Sequence, residues 1–161
     1  MSDIHFQLRS ANSDDLDAVY DLFAEAASIF SKAEPEFFKD AVKDDAFREF
    51  FERTLDDPEQ HFVLACAEAV PVGFIKFFAG VQPENIYSPE RRFAYIHQLT
   101  VTQDLRRKGC ANALIQHVKN VAQKQNISLL GIDFRSINEA ARACYASNGF
   151  EVKGEVMWLC L

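Results

Sequence analysis

Alternation marks the first element of the chain. Ile4, Phe6 and Leu8 interleave with His5, Gln7 and Arg9, the period-two signature of a half-buried strand. From Leu16 the period changes: Leu16, Val19, Tyr20, Phe23, Ala27 and Phe30 recur at helical spacing, with Asn12 or Ser13 as the cap. Pro35 reads as the start of a second helix, whose apolar stripe is Phe37, Phe38, Ala41, Val42, Phe50 and Phe51. These aromatic stripes read as core. His61 to Ala67 and Val72 to Ala79 are two strands joined by a short turn that contains Pro71. Residues 80–91, with Gly80, Pro83, Asn85 and Pro89, read as a loop. Phe93 to Val101 is a strand, and Ala111, Leu114, Ile115, Val118, Val121 and Ala122 trace a helix. Ser128 to Phe134 is a further strand. Ser136-Ile-Asn-Glu139 has the form of a capping box with Ser136 as cap, and the helix it opens stops at Asn148-Gly149. Gly154 to Leu161 supplies a last strand. The order β-α-α-β-β-β-α-β-α-β, without linker or repeat, predicts one domain over residues 1–161, α+β or mixed α/β, around a central sheet.

Composition changes this picture little. The 161 residues are 48 % apolar and 25 % charged, which suits one globular domain with a full-sized core. Fifteen Phe against one Trp decides nothing about function. Charge is more informative. The net −7 divides into −10 over residues 1–60 and +3 over the rest. An acidic first part argues against nucleic acid as the main partner and suits a cationic substrate. Two solvated helix faces would give the same pattern. The opening MSDIHFQLRS has no signal-peptide form, and no window approaches the ~18 apolar residues of a membrane span, so no membrane partner is expected. Cys66, Cys110, Cys144 and Cys160 form no CxxC pair and read as structural thiols in a reducing cytoplasm. No metal-ligand cluster is visible, and no metal is expected.

The stretch "LTVTQDLRRKGCANALIQHV" carries the chemistry. An extended apolar run leads into Arg106, Arg107 and Lys108, then Gly109, then directly into a helix pattern. A helix N-terminus leaves four N–H groups without intrahelical partners and holds about half a positive charge, which makes it an anion site. Gly109 permits close backbone approach, Ala111 is the next smallest choice, and the three basic residues add field. A merely charged strand-to-helix turn is the competing reading. The GxxxxGK[ST] and GxGxxG phosphate loops are both absent.

Arg106-Arg-Lys-Gly109-Cys-Ala111 resembles the Q/R-x-x-G-x-G/A signature of the GNAT superfamily of acetyl-CoA-dependent N-acetyltransferases. "NEAARACYASNGF" (Asn138 to Phe150) resembles that family's second signature, N-x-x-A-x-x-x-Y-x-x-x-G-F, and "FQLRSANSDDLDAV" resembles its first strand and helix start. The resemblance covers nearly the whole chain. Gln103 departs from it, where many members have Pro. The resemblance implies a mostly antiparallel sheet with helices on both faces, acetyl-CoA as donor substrate, and no metal. It implies that backbone amides from Arg107 through Lys108, Gly109, Cys110 and Ala111 to Asn112, with the basic field of Arg106, cradle the pyrophosphate. The main chain of Leu99, Thr100 and Val101 would meet the pantetheine arm and polarise the acetyl carbonyl. Asn138 would bond the pantetheine or a nearby backbone group, and a plain first-turn residue is its alternative. Tyr145 would protonate the departing thiolate, and packing over the sheet is its alternative. Cys144 has no placeable base and is not taken as a nucleophile.

Direct transfer needs a neutral amine. In an extended strand Tyr95, His97 and Leu99 share one face, so His97, and less strongly Tyr95, are candidate bases near the acetyl group. His97 could equally pack or bind substrate without moving a proton. His61 and His117 look structural or exposed. In this family the variable first half usually forms the acceptor side. Asp44, Asp45, Glu49 and Glu84 favour a small cationic amine slightly over a protein amine. A non-catalytic acyl-CoA sensor and an interaction module are the alternatives, and a homodimer stays open.

Overall fold

The computed structural model describes residues 4–159. Five strands form: β1 (Gln7–Ser10), β2 (Gln60–Ala67), β3 (Val70–Gln82), β4 (Arg91–Val101) and β5 (Leu130–Ile132). They make one sheet in the order β1-β2-β3-β4-β5. The first four are antiparallel neighbours, whereas β5 runs parallel to β4. A parallel pair needs a crossover, and α3 (Cys110–Lys124) supplies it. α1 (Leu16–Ala33) and α2 (Asp45–Asp56) cover the opposite face, and α4 (Glu139–Ser147) follows β5.

Alternate strand positions feed two cores. On one face Val63, Ala65, Ile75 and Phe77 pack with Leu114 and Val118 of α3. On the other, Phe62, Leu64 and Phe74 pack with Val19 and Leu22 of α1 and Phe51 of α2. Each fully buried Phe, Leu or Ile contributes about 1.5–3 kcal/mol. The entry of α1 is pinned to β1. Asn12 Oδ1 accepts from the Asp14 N–H, and the Asp15 carboxylate accepts from the Asn12 N–H, both at 2.9 Å. The same carboxylate takes a two-pronged bond from Arg9 at 2.7 Å, which holds its pKa below the usual carboxylate range.

The α+β class stands, with helices on both faces, but several local expectations do not. Pro35 does not open a helix. It disfavours helical geometry at Glu34 and so helps to end α1. Residues 34–44 are irregular, and α2 starts only where Asp44 caps it, accepting from the Phe47 N–H at 3.0 Å. The β2–β3 turn is Glu68-Ala69, both left-handed (φ 48° and 69°), as the twist of a hairpin demands, and Pro71 lies within β3. The cap of α4 is Asn138, not Ser136: its side chain accepts from the Ala141 N–H at 3.0 Å. β5 spans three residues, not 128–134. The expected last strand does not form through Leu159. Val156 to Leu159 are exposed, and Trp158 packs on Phe37 at 5.3 Å. Residues 154–159 join no strand of the sheet. Residues 160 and 161 lie outside the described residues. Cys66, Cys110 and Cys144 are free thiols. Among the described residues no helix is long and apolar enough to cross a membrane.

Candidate active site

The site begins where two neighbouring strands part. β4 pairs with β3 out to Val101, but with β5 only from Ala94–Leu130 to Ile96–Ile132. Beyond Ile96 the far edge of β4 has no strand partner among the described residues. A cleft of about 700 Å3 opens there. Its floor is β4, one wall is α1 with residues 37–50, and the other is the segment after β5 together with Tyr145. Free edge N–H and C=O groups in a cleft are a template for an extended polar ligand.

A bulge decides what faces this cleft. Phe77 opposes Ile96 and Lys76 opposes Gln98, so His97 is the extra residue. An extra residue inverts the alternation beyond it. Ile96 and Leu99 therefore both pack into the α3-side core, while Thr100 opposes Phe74 on the other face. The expected sharing of one face by 95, 97 and 99 fails at Leu99. Tyr95 and His97 do stay together, with rings 5.4 Å apart. The Tyr95 ring lies across Gly131, where a Cβ would come within 2.7 Å of it, and its hydroxyl donates to Asp133 at 3.0 Å. Burial and that carboxylate push the phenol's pKa up, which makes Tyr95 a poor proton acceptor. His97 moves the other way. Loss of water and the nearby Lys76 ammonium lower its pKa, against the pull of Asp133. Its imidazole is neutral at neutral pH and able to accept a proton.

Past Val101 the chain turns through Gln103–Leu105 into α3. Glu25 of α1 holds this turn. Thr102 Oγ1 donates to it at 2.9 Å and the Gln103 N–H at 2.7 Å, and the Arg106 guanidinium lies 3.5 Å away. Arg106 Nε also donates to the Val101 carbonyl at 3.1 Å, so its side chain braces the turn, while Arg107 and Lys108 project into solvent. Arg107 (φ 59°) and Gly109 (φ 90°) are left-handed. A Cβ on Gly109 would meet nothing within 4 Å. Glycine is there for the backbone turn, and the space before it is open. The Gly109 carbonyl accepts the Ala113 N–H at 3.0 Å, so the amides of Cys110, Ala111 and Asn112 are the orphan donors of α3.

Asn138 lines the cleft while capping α4, and this positions Tyr145 about two turns into the helix. Tyr145 is 7 % exposed, edge-on to Phe134 at 5.7 Å and Phe150 at 6.0 Å. Burial, with smaller pushes from Cys144 and Asp133, raises its pKa to about 12. It is a neutral O–H donor at the cleft wall. Burial also raises the Cys144 pKa, which keeps that thiol protonated. His61 stacks on Phe77 at 4.7 Å, on the α3 side of the sheet and away from the cleft.

Of the acidic residues picked out in the sequence, only Asp44 lines the cleft; Asp45, Glu49 and Glu84 do not. Asp40 and Asp133 do, and were missed because they lie in segments that read as helix and strand interior. Part of the aromatic stripe also leaves the core: Phe23, Phe30, Phe38 and Phe50 line the cleft half-buried.

The acetyltransferase (GNAT) family model matches residues 17–150. The chain belongs to the GNAT acetyltransferase family. A relative, an uncharacterised N-acetyltransferase of Methanocaldococcus jannaschii, is 26 % identical over 159 residues, which is 96 % of this chain. The chain spans 65 % of that relative's length. The GNAT fold is shared with a tetramutant protein from Bacillus halodurans (TM-score 0.89, 17 % identity, 96 % of this chain and 99 % of that one). It is also shared with an aminoglycoside acetyltransferase from an uncultured soil sample, solved with sisomicin (TM-score 0.71, 18 % identity, 97 % and 96 %). A third structure, AAC(6')-Iy, holds a bisubstrate analogue of CoA and acetylneamine (TM-score 0.74, 19 % identity, 98 % of each chain).

Proposed function

We propose that this GNAT chain transfers an acetyl group from acetyl-CoA directly to a small primary amine. One observation carries the reading: the free edge of β4 leads through a braced turn to the orphan amides of α3. A ligand with an amide-bearing arm and a diphosphate fits that sequence of donors. The amides from Arg107 to Asn112 hold the diphosphate, with the charges of Arg107 and Lys108 beside them. The main chain of Leu99, Thr100 and Val101 pairs with the pantetheine arm, and an edge N–H polarises the acetyl carbonyl. His97 takes the amine proton, directly or through a water, as the N–C bond forms. The Tyr145 hydroxyl gives its proton to the leaving sulfur as the C–S bond breaks. Solvent returns the proton from His97 to Tyr145, so the sum is amide plus thiol. An acyl-CoA sensor needs the packed ring but not its hydroxyl, so the phenol favours the transferase.

Thermal unfolding with acetyl-CoA, against ADP and NAD, tests the donor assignment. A ligand at a hundred times its Kd adds about 2.7 kcal/mol to the folded state. We expect acetyl-CoA to raise Tm more than either control does. No rise at saturation overturns the assignment.

A further inference from the structure

Rings, more than carboxylates, line the α1 and α2 side of the cleft. Phe23 and Phe30 come from α1, Phe38 from the irregular segment, and Phe47 and Phe50 from α2. All but Phe47 are only half-buried. Phe30, Phe38 and Phe50 are not needed to seal the sheet, because Val19, Leu22, Phe47, Phe51, Phe62 and Phe74 already do so on this face. Half-exposed rings around a concavity are apolar surface held ready for a ligand.

Charge narrows that ligand. Protein cations already sit on some ring faces. The Arg135 guanidinium lies 4.7 Å from the Phe37 centre and 5.4 Å from that of Phe38, and Lys76 Nζ lies 4.9 Å from that of Phe50. Arg135 is fixed in place, since it donates to Glu34 at 2.7 and 2.5 Å. Against these stand Asp40 and Asp44 on the same wall and Asp133 across the cleft. Over the lining residues these three carboxylates exceed Lys39 and Arg135 by one, which offsets one ligand ammonium on its way to His97. A second ammonium on the ligand meets Lys39 or Arg135. Ligand hydroxyls would be turned against rings that offer no partner, which is unfavourable.

Resting on the transferase reading above, we infer that the acceptor is a primary monoamine on a short arm with a flat apolar body, an arylalkylamine. A polyamine or a polyhydroxylated amino sugar does not suit this wall. The body lies among Phe23, Phe30 and Phe38, and the nitrogen faces His97.

The test is a panel of tryptamine, 2-phenylethylamine, spermidine and kanamycin. Turnover is read as thiol release from acetyl-CoA, and binding by calorimetry with CoA present. We expect the two arylalkylamines to exceed the others in kcat/KM by about tenfold or more, the scale of one well-filled apolar pocket. Phe38→Ala, in an irregular segment outside both cores, should raise the KM for tryptamine roughly tenfold and leave that for acetyl-CoA unchanged. Phe50→Ala serves as the second variant. Preference for spermidine or kanamycin, or an unchanged tryptamine KM in both variants, overturns the inference and leaves the transferase reading intact. Tryptamine binding that Phe38→Ala weakens, without turnover of any amine, supports the pocket and overturns the transferase reading. Binding of none of the four overturns both.

Discussion

The two sides of the cleft are built by different means. The side we assign to the donor is made of backbone: a free strand edge, a left-handed glycine and the first amides of a helix. The side we assign to the acceptor is made of side chains from α1, an irregular segment and α2. Backbone groups are placed by local geometry, and the Glu25 carboxylate and the Val72 carbonyl, which accepts from the Thr102 N–H at 2.9 Å, tie them to the rest. The acceptor wall has no such local rule. Its shape depends on contacts between residues far apart in the chain, such as Glu34 with Arg135. The donor side can therefore stay the same while the acceptor side is recut for another amine.

If that division holds, substitutions on the donor side should divide cleanly between chemistry and binding. The largest effect should come from Tyr145→Phe, which removes one hydroxyl and keeps the ring packed against Phe134 and Phe150. We expect kcat to fall by about 10² to 10⁴, the usual range for losing a positioned proton donor. The Kd for acetyl-CoA should hardly change. Equal loss in both would make Tyr145 a packing residue. Gly109→Val should act the other way. It forces a β-branched residue to φ 90° and fills open space before the orphan amides. Each charge-assisted hydrogen bond is worth roughly 1.5–3 kcal/mol, so loss of one should weaken CoA about ten- to a hundredfold. Unchanged CoA affinity in a folded variant would remove the diphosphate from this turn.

The same division explains what could be read from the sequence. The element order up to α4 and the Arg106–Ala111 turn follow from short-range patterns, but β3 runs on to Gln82 through residues that read as loop, β5 is shorter than its pattern, and the last strand does not form. The bulge at His97 left no such mark. It depends on how β4 lies against Lys76 and Phe77 of β3, and it turns Leu99 to the opposite face. The irregular 34–44 segment was hidden because its phenylalanines happen to fall at helical spacing. Their role depends on a tertiary clamp, Glu34 with Arg135, between residues 101 positions apart. Charge counting failed for a similar reason. Asp40 and Asp133 reach the cleft, while the acidic residues of α2 beyond Asp45 face solvent.

At Glu25 the two sides are tied by hydrogen bonds, since a helix of the acceptor wall holds the donor turn. Glu25→Gln keeps the shape but gives up the charge opposite Arg106 and replaces one acceptor oxygen with a donor. One of its two bonds, to Thr102 or to Gln103, must be lost. At about 1 kcal/mol for that bond, the KM for acetyl-CoA should rise roughly fivefold. Tm should fall by about 2–4 °C for a domain of this size. A change in Tm with no change in KM would show that the turn needs no brace to bind.

The smallest effect, and the finest test, is in the pH profile. A base must be unprotonated to act, so activity should be lost on the acid side as His97 gains its proton. Loss of water and the Lys76 ammonium lower the His97 pKa, so the acid limb of log kcat/KM should lie below the ordinary imidazole value. Lys76→Met removes one of the lowering influences. The His97 pKa then rises, and the limb moves to higher pH with the plateau unchanged. The amine's own protonation produces a second limb, which two acceptors of different basicity will separate. A limb that tracks the amine and ignores Lys76→Met would move the base away from His97 and leave proton removal to water. The left-handed turn and Tyr145 would stand, because neither depends on where the amine loses its proton.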